Sequence, residues 1–277
     1  MGTLNGKVAI VSGSGRGIGR SVASKLAAEG AAVVVNDLDP APADEVVKEI
    51  TAAGGRAIAC NGDVTAADFG DRFVKAAIDA FGGLDIIVNN AGYTWDNVVH
   101  KMTDEQFEAM LAVHLTAPFR ILRAAAEPIR IFTKQEAQQG REVYRKVVNI
   151  SSIAGIFGNA GQISYAAGKA GIVGMTRAMC KEWGRYKVNV NCVAFGWIDT
   201  RLTQAIKADE AQKTIDVAGR EIKVGVQEGN LGAMRQLVPL GRPGTPEEAA
   251  GAVYLFCIPE SNYISGQLLV CGGGLLL

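Results

Sequence analysis

Tyr165 and Lys169 stand four residues apart, so on a helix their side chains share a face. An ammonium beside a phenol favours the phenolate and can draw its ordinary pKa of about 10 toward neutral pH. Such a pair can take the proton of an alcohol while hydride leaves the carbon, or give one to a carbonyl in the reverse direction. Ser152, thirteen residues before Tyr165, is suitably placed to hydrogen-bond the reacting oxygen. A second set of residues suits an anion. Gly13, Ser14, Gly15, Arg16, Gly17, Ile18 and Gly19 join an apolar run to a helical stripe. Their glycines let the backbone turn sharply and approach a pyrophosphate, which meets the helix N-terminus. Asp37 follows Gly13 by 24 residues, at the end of the second apolar run. A carboxylate there accepts hydrogen bonds from the adenosine ribose and repels a 2′-phosphate, whereas Arg16 in the loop is suited to meet that phosphate. On balance the residues predict a dinucleotide site that favours NAD over NADP.

Positioning these groups requires strands that end where the loops begin. Val8–Ser12, Ala32–Asn36, Arg56–Asn61, Leu84–Asn89, Lys146–Ile150, Val188–Val193 and Gln267–Val270 are short apolar runs, nearly continuous rather than alternating. That pattern marks strands covered on both faces, as in a parallel sheet between helix layers. Between the runs lie helical segments, such as the stripe Ile18, Val22 and Leu26 that ends near Gly30. The alternation predicts an α/β fold: one Rossmann-like, doubly wound, parallel seven-stranded sheet with helices on both faces, forming a single domain over residues 1–277. Two segments look like additions. Ile131 to Lys146 is rich in charge and reads as a solvated helical extension. Arg201 to Arg242 is too long for a simple connection, so a substrate flap with helices of its own is expected there.

Charge and composition narrow the function classes. Lys and Arg number 28 against 28 Asp and Glu, which argues against a nucleic-acid binder or a basic membrane-surface protein. No apolar stretch approaches the ~18 residues of a membrane helix, and the N-terminus lacks an export pattern. A cytoplasmic enzyme with a small-molecule substrate is therefore expected. Cys60, Cys180, Cys192, Cys257 and Cys271 are odd in number and widely spaced, predicting inert thiols rather than disulfides or a metal site.

The glycine loop with its GxxxGxG spacing, Asn89-Asn90-Ala91-Gly92, Ser152, and Tyr165-Ala166-Ala167-Gly168-Lys169 occur in an order and spacing that resembles the short-chain dehydrogenase/reductase family. The resemblance runs from about Leu4 to the C-terminus and implies a fold, a nicotinamide cofactor and site residues. It gives Ser152, Tyr165 and Lys169 the catalytic roles derived above, with Lys169 also holding the nicotinamide ribose. Asp63 and Val64 match the adenine-ring position, Asn90, Ala91 and Gly92 the adenosine side, and Ile198 and Thr200 the stretch that holds carboxamide and pyrophosphate. There are two departures. His114 stands where many members carry an Asn of a water-linked proton relay to the lysine. It either keeps the relay through its main chain, adds a titrating imidazole, or is simply a packed helix histidine. Phe195 stands before Gly196 where a proline is usual. Gly168, Gly171 and Gly174 form a low-relief helix face, which in the family packs against a partner subunit, so a homotetramer or homodimer through the Tyr165 helix is expected.

The substrate is less well defined. Asn36-Asp37-Leu38, Val113-His114-Leu115 and Gly155 to Gln162 look most like members acting on 3-hydroxyacyl or 3-oxoacyl thioesters. Asn159 and Gln162 are candidate substrate contacts near the mouth of the site. A steroid, cyclic or sugar-derived alcohol is the alternative. From another class, a non-catalytic dinucleotide-sensing protein would be marked by loss of Tyr165 or Lys169, and both are present.

Overall fold

The computed structural model describes residues 2–206, 213–227, 232 and 235–275. Its first half alternates strand and helix: β1 (Val8–Val11), α1 (Gly17–Ala28), β2 (Ala32–Val35), α2 (Pro40–Ala52), β3 (Arg56–Ala59), α3 (Phe69–Phe81) and β4 (Ile86–Asn89). There follow α4 (Asp104–Leu111), a π-helical turn (Ala112–Thr116), α5 (Ala117–Gln138), β5 (Arg145–Ser152), the short α6 (Ala154–Phe157), α7 (Ile163–Trp183) and β6 (Val188–Phe195). After a segment with four short strands, β7 (Ala205–Ile206), β8 (Thr214–Val217), β9 (Arg220–Lys223) and β10 (Val226–Gln227), the chain closes with α8 (Pro246–Tyr254) and β11 (Leu268–Cys271).

Seven strands form one parallel sheet in the order β11-β6-β5-β4-β1-β2-β3, as the apolar runs predict. Residues of β1, β2 and β4 are buried throughout because helices cover both faces. On one face Val22, Leu26, Val46, Ile50 and Val253 from α1, α2 and α8 pack on Val33, Val35 and Val88. On the other, Phe69, Phe73, Ile121, Leu122 and Ile129 from α3 and α5 pack on Ile10, Val34 and Ile87. Each of these fully buried aromatic side chains stabilises the fold by about 1.5–3 kcal/mol relative to exposure. No helix among the described residues is long and apolar enough to cross a membrane.

Two expectations need correction. The charged segment before β5 is only partly solvated. Arg145 and Lys146 are strand residues, 4% and 3% exposed. Arg145 donates to both carboxylate oxygens of Glu136 at 2.9 and 2.6 Å and to the Leu84 carbonyl, while the Lys146 ammonium donates to Asn189 Oδ1 and Ser261 Oγ at 2.9 and 3.1 Å. These partners meet the charges in place of water. The described part of the flap is mainly β rather than helical, with a short helical turn at Arg235–Leu237. The antiparallel pair β8–β9 turns through Ala218 and Gly219, both at positive φ (54° and 80°), the conformation a two-residue hairpin demands. Residues 207–212, 228–231 and 233–234 of the expected flap lie outside the described residues.

Candidate active site

β1 and β4 are neighbours from which the chain departs in opposite directions, to β2 on one side and β5 on the other. A crevice opens at the carboxyl ends of strands at such a switch point, and here it is a cleft of about 740 Å³. Its two lips are stapled together. Ser12 Oγ accepts from the backbone N–H of Asn90 and Ala91 at 3.0 and 3.1 Å, and Asn90 Nδ2 donates to the Ser12 and Gly13 carbonyls at 2.9 Å. A Cβ on Gly19 would fall 2.1 Å from the Gly13 carbonyl oxygen, so only glycine lets α1 begin this close to the loop. Arg16 provides α1 with no side-chain cap, leaving the first N–H groups of the helix without a side-chain partner beside a cleft lined by Gly13, Arg16, Gly17, Ile18 and Gly19. That uncapped end and glycine cradle fit the pyrophosphate of a dinucleotide.

At the adenosine end, Asp37 Oδ1 accepts from Arg16 Nη1 at 3.0 Å and from the Asp39 N–H at 3.1 Å, and Arg16 Nη2 donates to Asp39 at 2.9 Å. Asp37, Asp63, Val64, Asn90, Ala91, Gly92, Ile198 and Thr200 all line the cleft. Ser14 and Gly15 do not. Ser14 is fully buried, donating to the Val11 carbonyl and accepting from the Asn36 N–H, so it supports the loop from beneath. Gly15 lies against Asp37 and Pro42, 2.6 Å from Asp37 Oδ2 for an added Cβ. Asn36, which sequence reasoning left out of the site, ties the loop to the next strand: its Oδ1 accepts from the Gly13 N–H and its Nδ2 donates to the Cys60 and Gly62 carbonyls. Its place at the end of a buried strand, beside Asp37, was the available signal.

The catalytic candidates converge at the other end. Ser152 at the tip of β5, and Tyr165 and Lys169 on α7, line the cleft together. Lys169 is 5% exposed; its ammonium donates to the Ile150 carbonyl at 2.9 Å and lies 5.7 Å from the centroid of the Tyr165 ring. Ser151 Oγ donates to the Lys169 carbonyl, seating the helix on the strand. Burial lowers Lys169 to about 8 and raises Tyr165 to about 12, opposed there by a hydrogen bond from Ser152 and reinforced by the charge of Asp96. Desolvation outweighs the nearby ammonium here, so the phenol is held above its ordinary value.

His114 is 2% exposed in the π-helical turn. Its Nε2 lies 2.7 Å from the Tyr93 carbonyl, its ring meets Tyr165 edge-on at 4.9 Å between centroids, and its Nδ1 is buried without a partner. With Nε2–H donating to the carbonyl, the ring is neutral, and burial followed by the Lys169 charge pushes its pKa well below the usual value. Desolvation thus favours the neutral, packed form of the imidazole over a titrating one. Gly92 and Gly168 make the space: a Cβ on them would approach the imidazole or its Cβ to 2.4 and 3.0 Å. This also revises the glycine face of α7. Gly168 and Gly171 pack inward on His114 and Leu115 of the same chain, and only Gly174 has open space beside it.

Of the substrate candidates, Gln162 lines the cleft and Asn159 does not. Asn159 Nδ2 donates to Gln162 Oε1 at 2.9 Å, and Gln162 Nε2 donates to Asp96 Oδ2 at 2.7 Å. Asp96, Tyr93 and the hairpin residue Arg220 were not anticipated. Arg220 pairs with Glu105 at 3.0 Å and lies over the Trp95 ring, so the hairpin covers the cleft. Phe195 continues β6 in place of a turn proline, and the Gly196 N–H donates to Cys271 at 2.9 Å, so the strand end keeps its partner.

A family model described as short chain dehydrogenase matches residues 7–211. A 3-oxoacyl-[acyl-carrier-protein] reductase of Synechocystis is 37% identical, with 100% of each chain covered. A hydroxyacyl-CoA dehydrogenase of Mycobacterium tuberculosis is 36% identical over 98% of this chain and 78% of its own. Among solved structures, a dehydrogenase/reductase from Sinorhizobium meliloti superposes with a TM-score of 0.82 at 29% identity, covering 99% of this chain and 96% of the other.

Proposed function

The chain belongs to the short-chain dehydrogenase/reductase family of oxidoreductases, and on that premise we propose that it interconverts 3-oxoacyl and 3-hydroxyacyl thioesters with NAD(H), as a single catalytic domain. The observation that carries the reading is the convergence of Ser152, Tyr165 and Lys169 on the cleft that also holds the glycine cradle. Relatives named for 3-oxoacyl and hydroxyacyl thioester chemistry favour that substrate class over a steroid, cyclic or sugar-derived alcohol. When bound, the nicotinamide dinucleotide supplies or accepts the hydride; the glycine loop, Asp37, Asp63, Asn90, Ile198, Thr200 and Lys169 are the residues that would hold it. In the reducing direction Tyr165, protonated at neutral pH, gives its proton to the carbonyl oxygen, and the Ser152 hydroxyl donates a hydrogen bond to that oxygen. The Lys169 ammonium then faces the phenolate left behind and stabilises it. In the reverse direction the same phenolate takes the alcohol proton.

Asp37 supports NAD over NADP, because its carboxylate would repel a 2′-phosphate and Arg16 is held between Asp37 and Asp39. The test is an NADH- and NADPH-linked assay with acetoacetyl-CoA, longer 3-oxoacyl thioesters, steroids and cyclic ketones. Turnover confined to the last two groups would reject the thioester reading, and a tenfold preference for NADPH would reject the cofactor. Binding of NADH with no turnover of any ketone would favour the sensor alternative. We also propose a homo-oligomer through the outer face of α7, where Ala167, Ala170 and Gly174 are exposed and small. Light scattering of the wild type and Gly174→Trp tests it: an oligomer that the substitution dissociates is expected, and a wild-type monomer contradicts it.

A further inference from the structure

The loop after β4 brings one carboxyl into the cleft that the reduction itself does not use. Asp96 lines the cavity with Tyr165 and Gln162, and Gln162 joins it from across 66 residues of sequence at 2.7 Å. Asn159 in turn donates to Gln162, and the Asn97 N–H donates to the Gly161 carbonyl at 2.9 Å, so the loop and the start of α7 are held together. Only Oδ2 of Asp96 is engaged. Its Oδ1 has no hydrogen-bond partner among the described residues, and the cations nearby are committed elsewhere: Arg220 pairs with Glu105 and stacks on Trp95, and Lys169 donates to Ile150. Asp96 is an exposed residue of the cleft lining, so its free carboxylate oxygen is open to accept a ligand N–H or O–H in place of water.

We propose that Asp96, braced by Gln162 and Asn159, is a specificity-determining residue that accepts a hydrogen bond from an amide N–H or hydroxyl in the tail of the ketone substrate. The position suits such a tail. Gln162 is the N-cap of α7, three residues before Tyr165 and about 5 Å from it along the helix axis, so Asp96 stands close to the carbonyl that Tyr165 protonates. Tails that end in a carboxylate near this point are repelled, and tails with a donor there are held. This rests on reading the cleft as a ketone site beside Tyr165.

A matched pair of probes tests it: S-acetoacetyl-N-acetylcysteamine, with an amide N–H two carbons beyond sulfur, and the analogue in which an ester oxygen replaces that N–H. Their dissociation constants from the enzyme–NAD⁺ complex, in which a ketone and an oxidised cofactor cannot react, are read by isothermal titration calorimetry and do not depend on turnover. The wild type is expected to bind the amide roughly tenfold or more tightly than the ester, the effect of a hydrogen bond to a charged group. Asp96→Ala is expected to bring that ratio to about one, with Asp96→Asn between the two, since its amide oxygen still accepts. A wild-type ratio near one, weak binding of both probes, or a ratio unchanged in Asp96→Ala overturns the proposal. Wild-type turnover of acetoacetyl-CoA is the separate measurement on which the thioester reading stands, so the two can fail independently.

Discussion

Replacing Asp37 with serine isolates the physical basis of the cofactor preference. Asp37 Oδ1 is occupied by Arg16 and the Asp39 N–H, while Oδ2 has no hydrogen-bond partner among the described residues and is the oxygen left for a ribose hydroxyl. Losing a charge-assisted hydrogen bond costs about 1.5–3 kcal/mol, which raises the KM for NADH roughly 10- to 150-fold. For NADPH the substitution acts in the other direction. It removes the carboxylate that would repel the 2′-phosphate and leaves Arg16 bound only to Asp39, whose side chain is 57% exposed. A surface pair of that kind contributes about 1 kcal/mol or less, so the guanidinium is readily recruited by phosphate. Asp37→Asn keeps the side-chain shape, and with it the acceptor for the Asp39 N–H, while removing the charge. The assay is kcat/KM for NADH and NADPH with one ketone at fixed ionic strength. We expect the NADH:NADPH ratio to fall by about two orders of magnitude in Asp37→Ser and by a smaller factor in Asp37→Asn. A change of less than about threefold in both would refute the reasoning, because either charge or hydrogen bonding at Oδ2 must then be irrelevant.

Other outcomes follow from the same contacts. His114→Asn is expected to lower kcat modestly, through loss of the bond to Tyr93, while the pH–rate profile between pH 5 and 8 keeps its shape; a limb that vanishes with the imidazole would show that His114 titrates in the reaction. Lys146 and Lys169 have folded pKa values lowered to about 8 against 10.5 for the free side chain, so the unfolded chain binds more protons above pH 8. Stability against urea should therefore rise between pH 7.5 and 9, by about 1 kcal/mol per lysine. Above pH 9, Cys192 and Cys257, held up to about 11 and 12 by burial, progressively offset the rise because the unfolded thiols lose their protons first. In Lys146→Met the rise should be about half as large; an unchanged rise would assign it to other groups. Gly171→Val should destabilise the fold by about 1–3 kcal/mol in thermal or urea melts, since even a Cβ would meet Leu115 at 3.0 Å, and a neutral result would show that the π-helical turn yields easily.

What the sequence conveys about this protein depends on how local the cause is. The buried strands were legible because helices on both faces leave a continuous apolar run such as Ala32–Val35. The glycine loop, Asp37, Ser152, Tyr165 and Lys169 were legible because each sits at a strand end or on one helix face. Arg145 and Lys146 were misread because their type signals solvent, while the groups that bury them, Glu136, Asn189 and Ser261, are set by tertiary contact. The inward packing of Gly168 and Gly171 depends on the π-helical turn at Ala112–Thr116, which has no distinct residue pattern. The hairpin carried only a weak signal, because Ala218-Gly219 lacks the Asn-Gly or Asp-Gly pair that marks a two-residue turn, although both residues take positive φ. Asp96 was missed because its partner Gln162 lies on another element.

The central claim, that Tyr165 is the acid and base of a carbonyl–alcohol interconversion, is tested most directly by Tyr165→Phe. The phenyl ring keeps the edge-on contact with His114 and lacks only the hydroxyl, so NADH affinity by fluorescence titration should stay within about twofold of wild type. Turnover of acetoacetyl-CoA at saturating NADH should fall by roughly 10²–10⁴-fold, the usual contribution of a positioned general acid. Retention of more than about a tenth of the wild-type rate, with NADH binding intact, would contradict the account.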